Sequence, residues 1–98
     1  MLELYQAEWC PHSHTVRERL TELGIDFVAR QVEAEPEDRE VLQERAGTDE
    51  IPVLVDDDGT VTSGEDAILE LLGRRAKERD DAATHRRKSE DKVEEFAG

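Results

Sequence analysis

Residues 2 to 14, Leu2-Glu3-Leu4-Tyr5-Gln6-Ala7-Glu8-Trp9-Cys10-Pro11-His12-Ser13-His14, decide how the rest of the chain is read. Leu2, Leu4 and Gln6 alternate with Tyr5, the period of a strand that shows two faces. After Cys10 the pattern turns helical. Proline directly after it suits the first helical position, so Cys10 falls at the N-cap and Ser13 is the third residue of the helix.

An N-cap side chain faces the free amides of the first turn, here those of His12 and Ser13, and feels the positive end of the helix dipole. Both effects favour thiolate over thiol. At such positions a cysteine pKa falls from about 8.5 into a range of about 3.5 to 7.5, which yields a nucleophile at neutral pH. Cys10 is the only cysteine of the chain, and Trp9 and Pro11 flank it. His12, on the exposed first turn, is expected to add positive charge when protonated. His14 lies four residues from Cys10 on the same helix face, but two ligands do not make a metal site, and none is expected.

Working outward, Val16, Leu20 and Leu23 carry the first helix to a stop at Gly24. A second strand is expected over 25–32 and a second helix over 37–46, with Val41, Leu42 and Ala46 as its thin apolar face. Ile51-Pro52-Val53-Leu54-Val55 is a continuous apolar run, the signature of a buried central strand. Asp56-Asp57-Asp58-Gly59 turns it into Thr60-Val61-Thr62. A third helix starts at Ser63 or Gly64 and buries Ile68, Leu69, Leu71 and Leu72. This order implies an α/β fold, a four-stranded mixed sheet with about three helices packed on it.

Charge divides the chain unevenly. Residues 1–73 hold 19 acidic and 5 basic groups, while residues 74–98 hold 7 and 8. The reading is a domain over residues 1–75 and a charged extension over 76–98, either a solvent-facing helix continuing the third one or a tail, with Val93 and Phe96 as its anchors. A net charge of −13 argues against nucleic acid or an anionic membrane as partner. No apolar run reaches the 18 or so residues that cross a bilayer, and no basic-then-apolar leader opens the chain. A lone cysteine fits a reducing compartment, so a cytoplasmic monomer is expected. Ten of the 13 basic residues are arginine, and scarce lysine among abundant Asp and Glu fits a halophilic cytoplasm whose counter-ions screen the repulsion.

Three stretches together resemble the glutaredoxin family. Tyr5 to Ser13 resembles its first strand and active-site turn, Ile51-Pro52-Val53 its cis-proline loop, and Ser63-Gly64-Glu65-Asp66 the turn that holds the γ-glutamyl end of glutathione. The resemblance covers residues 1 to about 75, and the N-terminal domain of glutathione transferases shares these landmarks. It implies a thioredoxin-like fold, with Cys10, Pro11, His12 and Ser13 as the catalytic turn and Ile51, Pro52, Val53, Ser63, Gly64, Glu65 and Asp66 as the substrate-binding residues. Asp66 would take the α-amino group and helix-terminal amides the α-carboxylate. Many glutaredoxins carry a lysine three residues before the nucleophile that contacts the glycine carboxylate of glutathione. This chain has Ala7 there, so γ-glutamylcysteine, which lacks the glycine, is an equal candidate.

Ser13 replaces the second cysteine of the family's dithiol motif, so a mixed disulfide on Cys10 must be resolved by an external thiol. The function implied is monothiol thiol-disulfide exchange between oxidised protein substrates and a low-molecular-weight thiol as co-substrate, with no tightly bound cofactor. The Ser13 hydroxyl is expected only to support the helix start. The alternatives are an iron-sulfur cluster carrier, for which Pro11 and His12 stand where such members have Gly and Phe, or a non-catalytic binding module like a transferase N-terminal domain. A whole transferase needs a second helical domain, which the 25 residues after Gly73 are expected to be too few to form.

Overall fold

The computed structural model describes residues 1–90. The strands are β1 (Leu2–Gln6), β2 (Phe27–Gln31), β3 (Val53–Val55) and β4 (Val61–Ser63); the helices are α1 (Pro11–Leu23), α2 (Glu40–Ala46), α3 (Glu65–Arg75) and α4 (Ala82–Glu90). The four strands form one mixed sheet in the order β2-β1-β3-β4. β2 runs parallel to β1, while β3 is antiparallel to both β1 and β4.

The alternation in β1 separates two apolar clusters. Leu2 and Leu4 pack with Val16, Leu20, Leu23, Leu54, Ile68 and Leu72 beneath α1 and α3. Tyr5 faces the other way, onto Leu42, Val53 and Val55. β3 lies between two strands and is covered on both faces, so all three of its residues are buried, which is why that run carries no alternation.

Register places the functional stretches. Tyr5 is opposite Val53, and Val53 is opposite Ser63. The end of β1, the start of β3 and the end of β4 therefore meet at one edge of the sheet, and each leads into or out of one of the three stretches singled out in the sequence.

Local chemistry explains most element ends. α1 stops at Gly24, whose φ of 68° is left-handed and whose N–H donates to Leu20 and Thr21 carbonyls. In the turn between β3 and β4, Gly59 has φ 87°, and the Asp56 and Asp58 carboxylates accept backbone N–H groups of Asp57 and Thr60. Met1 and Arg75 pair with Asp57 and Asp56, so the aspartates serve as turn caps and ion-pair partners.

Three expectations change. β2 is shorter than 25–32, because it pairs only along the five residues of β1. The second helix does not run through 37–46: Pro36–Asp38 is a single 3₁₀ turn, and Arg39 breaks it from α2 at φ −85°, ψ 60°. Arg39 turns inward to donate to the carbonyls of Glu33 at 2.8 Å, Ala34 at 3.0 Å and Asp49 at 2.8 Å. As a result Leu42 is buried while Val41 is 64% exposed.

The third change is at the C-terminal end. α3 continues through Gly73 to Arg75, and Ala76 then breaks it with extended backbone. α4 is a separate helix lying on α1, with Ala82 buried beneath it. It is held by charge more than by an apolar stripe. Glu22 of α1, only 5% exposed, accepts from Arg86 of α4 at 3.0 Å and from Arg19 at 2.8 Å, while Glu78 accepts from both arginines at 2.6 Å. Val93 and Phe96 lie outside the described residues.

Candidate functional site

Cys10 caps α1 as the sequence predicts, with extended backbone at φ −81°, ψ 117° and its Sγ accepting the Ser13 N–H at 3.4 Å. Its own N–H donates to the Ala7 carbonyl at 3.2 Å, which tightens the turn between β1 and α1. The thiol is 6% exposed. Burial pushes its pKa up, but the nearby Ser13 side chain, the Ser13 and His12 amides and the charge of Arg17 together bring it below the ordinary thiol value.

Two of these contributors differ from expectation. Ser13 is fully buried, and its hydroxyl has no well-formed hydrogen-bond partner among the described residues. A thiolate accepts better than a thiol, so this unpartnered hydroxyl is available to the ionised form of Cys10. His12 acts on Cys10 through its backbone amide, while its imidazole turns away: Nδ1 lies 2.6 Å from the Glu65 carboxylate at the start of α3. The nearby cation is Arg17 instead. It sits seven residues after Cys10, two turns along the same face of α1, a spacing legible in the sequence.

Across the cleft, the Ile51-Pro52 peptide is cis, as expected from the motif. The Pro52 carbonyl accepts the Gly64 N–H at 2.9 Å, tying the proline loop to the start of α3. Gly64 holds φ 95°, ψ 147°, a conformation essentially confined to glycine, and this lets the chain turn from β4 into α3. His12, Ile51, Pro52, Ser63, Gly64, Glu65, Asp66 and Ala67 line an open cleft of about 530 Å³. Val53 and Cys10 are not among its lining residues. Val53 is fully buried between Tyr5 and Ser63, and Cys10 is set just behind the turn that carries His12.

His14 is exposed and lies 3.8 Å from Glu18, and His85 on α4 lies 3.3 Å from Asp81. Among the described residues no group of three or more His, Cys, Asp or Glu could hold a metal ion. No described helix is long and apolar enough to cross a membrane.

The family model for glutaredoxin matches residues 2–60, the span from β1 through the cis-proline loop into the turn before β4. The chain belongs to the glutaredoxin family. Its fold is the thioredoxin-like one, and solved structures share it. A glutathione S-transferase from Methylobacillus flagellatus KT, solved with glutathione bound, is 27% identical at a TM-score of 0.67, covering 78% of this chain and 37% of that one. A glutathione S-transferase from Rhodospirillum rubrum F11 is 32% identical at 0.66, covering 76% and 33%. A glutathione transferase family member from Pseudomonas fluorescens Pf-5, with bound glutathione, has the higher TM-score of 0.73 at 22% identity, covering 79% and 39%. This glutaredoxin thus spans less than two fifths of the transferases it resembles. No curated protein matches it significantly.

Proposed function

We propose that this glutaredoxin is a monothiol thiol-disulfide oxidoreductase in which Cys10 exchanges mixed disulfides between proteins and a γ-glutamyl thiol. The observation that carries the reading is the Cys10 sulfur at the N-cap of α1. It accepts the Ser13 amide and is held below the ordinary thiol pKa beside a cleft formed by the proline loop and the start of α3. The bound glutathione of two similar transferases supports the class of small thiol.

The Cys10 thiolate attacks the small-thiol sulfur of the protein mixed disulfide. That S–S bond breaks, and the protein sulfur leaves as a thiolate that takes up a proton. Ser13 offers no second sulfur, so the new mixed disulfide on Cys10 waits for another small-thiol anion. That anion attacks the sulfur bound to Cys10, the Cys10 thiolate leaves, and the two small thiols depart as their disulfide. The amides of Ser13 and His12 and the Ser13 hydroxyl stabilise Cys10 as leaving group as well as nucleophile. Asp66 and the first amides of α3 would hold the amino and carboxylate groups of the γ-glutamyl end. Glu65 is drawn from that carboxylate toward His12, which eases the repulsion that its position implies.

The test is an exchange assay on a protein mixed disulfide, supplying glutathione and γ-glutamylcysteine in parallel. Turnover with at least one of them, lost in Cys10→Ala, is expected. Turnover that survives Cys10→Ala sinks the reading.

A further inference from the structure

Arg17 takes no part in the exchange steps above, yet it is bound to three consecutive residues of the turn that leads to the nucleophile. One guanidinium nitrogen donates to the Gln6 side-chain oxygen and, at 3.5 Å, to the Ala7 carbonyl; the other lies 3.2 Å from the Glu8 carboxylate. The Ala7 carbonyl also accepts the Cys10 N–H, so Arg17 and Cys10 share one acceptor. Gln6 is itself fixed. Only 2% exposed at the end of β1, on the face otherwise given to Leu2 and Leu4, it donates from Nε2 to the Gln31 side chain on β2 at 2.8 Å. A buried amide on an apolar face needs both its donor and its acceptor used, and here the two partners align a cation beside the active-site turn.

We propose that Arg17, aligned by Gln6 and through it by Gln31, is the positioning residue of the nucleophile's turn, clamping Gln6, Ala7 and Glu8 while presenting a fixed positive charge to Cys10 from within α1. The residues immediately before Cys10 supply no cation, and His12 is engaged with Glu65. Around this end Glu8 in the turn, Glu18 on α1, Glu50 before the proline loop and Glu65 and Asp66 on α3 are all acidic, His14 faces Glu18, and β3 itself brings no charge. Arg17 is the cation that acts on the thiol, adding to the stronger influence of the Ser13 and His12 donors, and its contacts to Gln6, Ala7 and Glu8 fix where that charge sits. Glu8, 89% exposed at the side chain, draws part of that charge outward. The proposal rests on Cys10 being the reactive thiol of the preceding section.

The experiment measures the rate of Cys10 alkylation by iodoacetamide against pH in the full chain. Arg17→Gln is expected to move the midpoint upward and slow alkylation several-fold at pH values below it. Gln6→Leu should move it the same way with Arg17 intact, and Arg17→Lys should fall between, since lysine keeps the charge without the fork. The double variant should sit no higher than Arg17→Gln, because both changes cut one chain of contacts. Glu8→Gln should move the midpoint downward, and this surface change keeps the proposal testable if Arg17→Gln fails to fold. An unmoved midpoint in Gln6→Leu or Glu8→Gln, with native circular dichroism, overturns it. Exchange assays on the same samples separate the two readings: Arg17-dependent alkylation without turnover defeats the proposed function alone.

Discussion

At the scale of single residues, the state of Cys10 depends on a contest between burial, which favours the neutral thiol, and oriented donors, which favour the anion. The donors win, so alkylation of Cys10 is expected to have its midpoint below the ordinary value of about 8.5. Ser13→Ala should raise that midpoint, because it removes the buried hydroxyl while keeping the backbone amide. A pH profile of alkylation in the two proteins checks this, and a superimposable pair of curves would leave the hydroxyl without a role. The sign for stability follows from the same contest. A folded-state pKa below the unfolded one makes Cys10 contribute stability above the unfolded thiol pKa, and that contribution is lost as pH falls through the folded value. Ser13→Cys should add a separate capacity, direct reduction of protein disulfides through an intramolecular disulfide, which the natural chain lacks.

At the scale of elements, α4 shows how a helix with little apolar surface is held in place. Glu22 is buried on α1 between Arg86 and Arg19, and hydrogen bonding from Arg86 first, then from Arg19, holds its carboxyl below the usual range against the opposing effect of burial. The backbone helps as well, since the Arg79 N–H donates to the Glu22 carbonyl at 2.8 Å. Glu22→Gln is expected to cost about 1 to 3 kcal/mol, the range for disturbing a buried charged hydrogen bond, moderated here because both arginines reach solvent. Hydrogen exchange should show the loss first in α4, with β1 and β3 protected until global unfolding. Uniform loss across the sheet would show that α4 and the sheet open as one unit.

At the scale of the whole molecule, the chain carries an excess of 13 negative charges, and the fold extends over only 41 × 28 × 20 Å. The ion pairs are mostly exposed, and such pairs contribute about 0 to 1 kcal/mol each, so screening them loses little. Raising salt from about 0.1 M to 1 M shortens the screening length from about 10 Å to 3 Å, well inside these dimensions, and relieves the long-range repulsion. The urea midpoint should therefore rise with potassium chloride over that range at pH 7; a fall would show that the ion pairs outweigh the repulsion. On the acid side, hydrogen bonding from Arg30 lowers the Glu3 carboxyl, with Arg45 adding to it, and Glu22 is lowered likewise. Their stabilisation is complete above the usual carboxylate pKa of about 4.5 and is lost as pH falls through the depressed folded values. A thermal melting temperature that holds to about pH 5 and declines below it is the expected result.

Periodicity and capping chemistry are local, and for that reason the strand-to-helix turn at Cys10, the stop at Gly24, the buried run around Val53 and the turn at Gly59 could all be read from the residues alone. The motif at Ile51-Pro52 likewise announced its cis bond. What the linear order could not show is which charged and polar side chains meet across elements. Gln6 looked like the polar end of an apolar face until the parallel pairing of β1 and β2 put it beside Gln31, and the crossing of α1 put Arg17 against it. Arg39 falls within the helix expected over 37–46, and only the fold brings the Glu33 and Ala34 carbonyls after β2 and the Asp49 carbonyl before β3 within its reach. α4 carried no apolar stripe to signal that it packs, because its partner is a buried carboxylate on α1. Apolar patterns repeat along a chain and can be counted, whereas a long charged side chain takes whichever acceptor the finished fold brings within reach, and only the tertiary structure decides that.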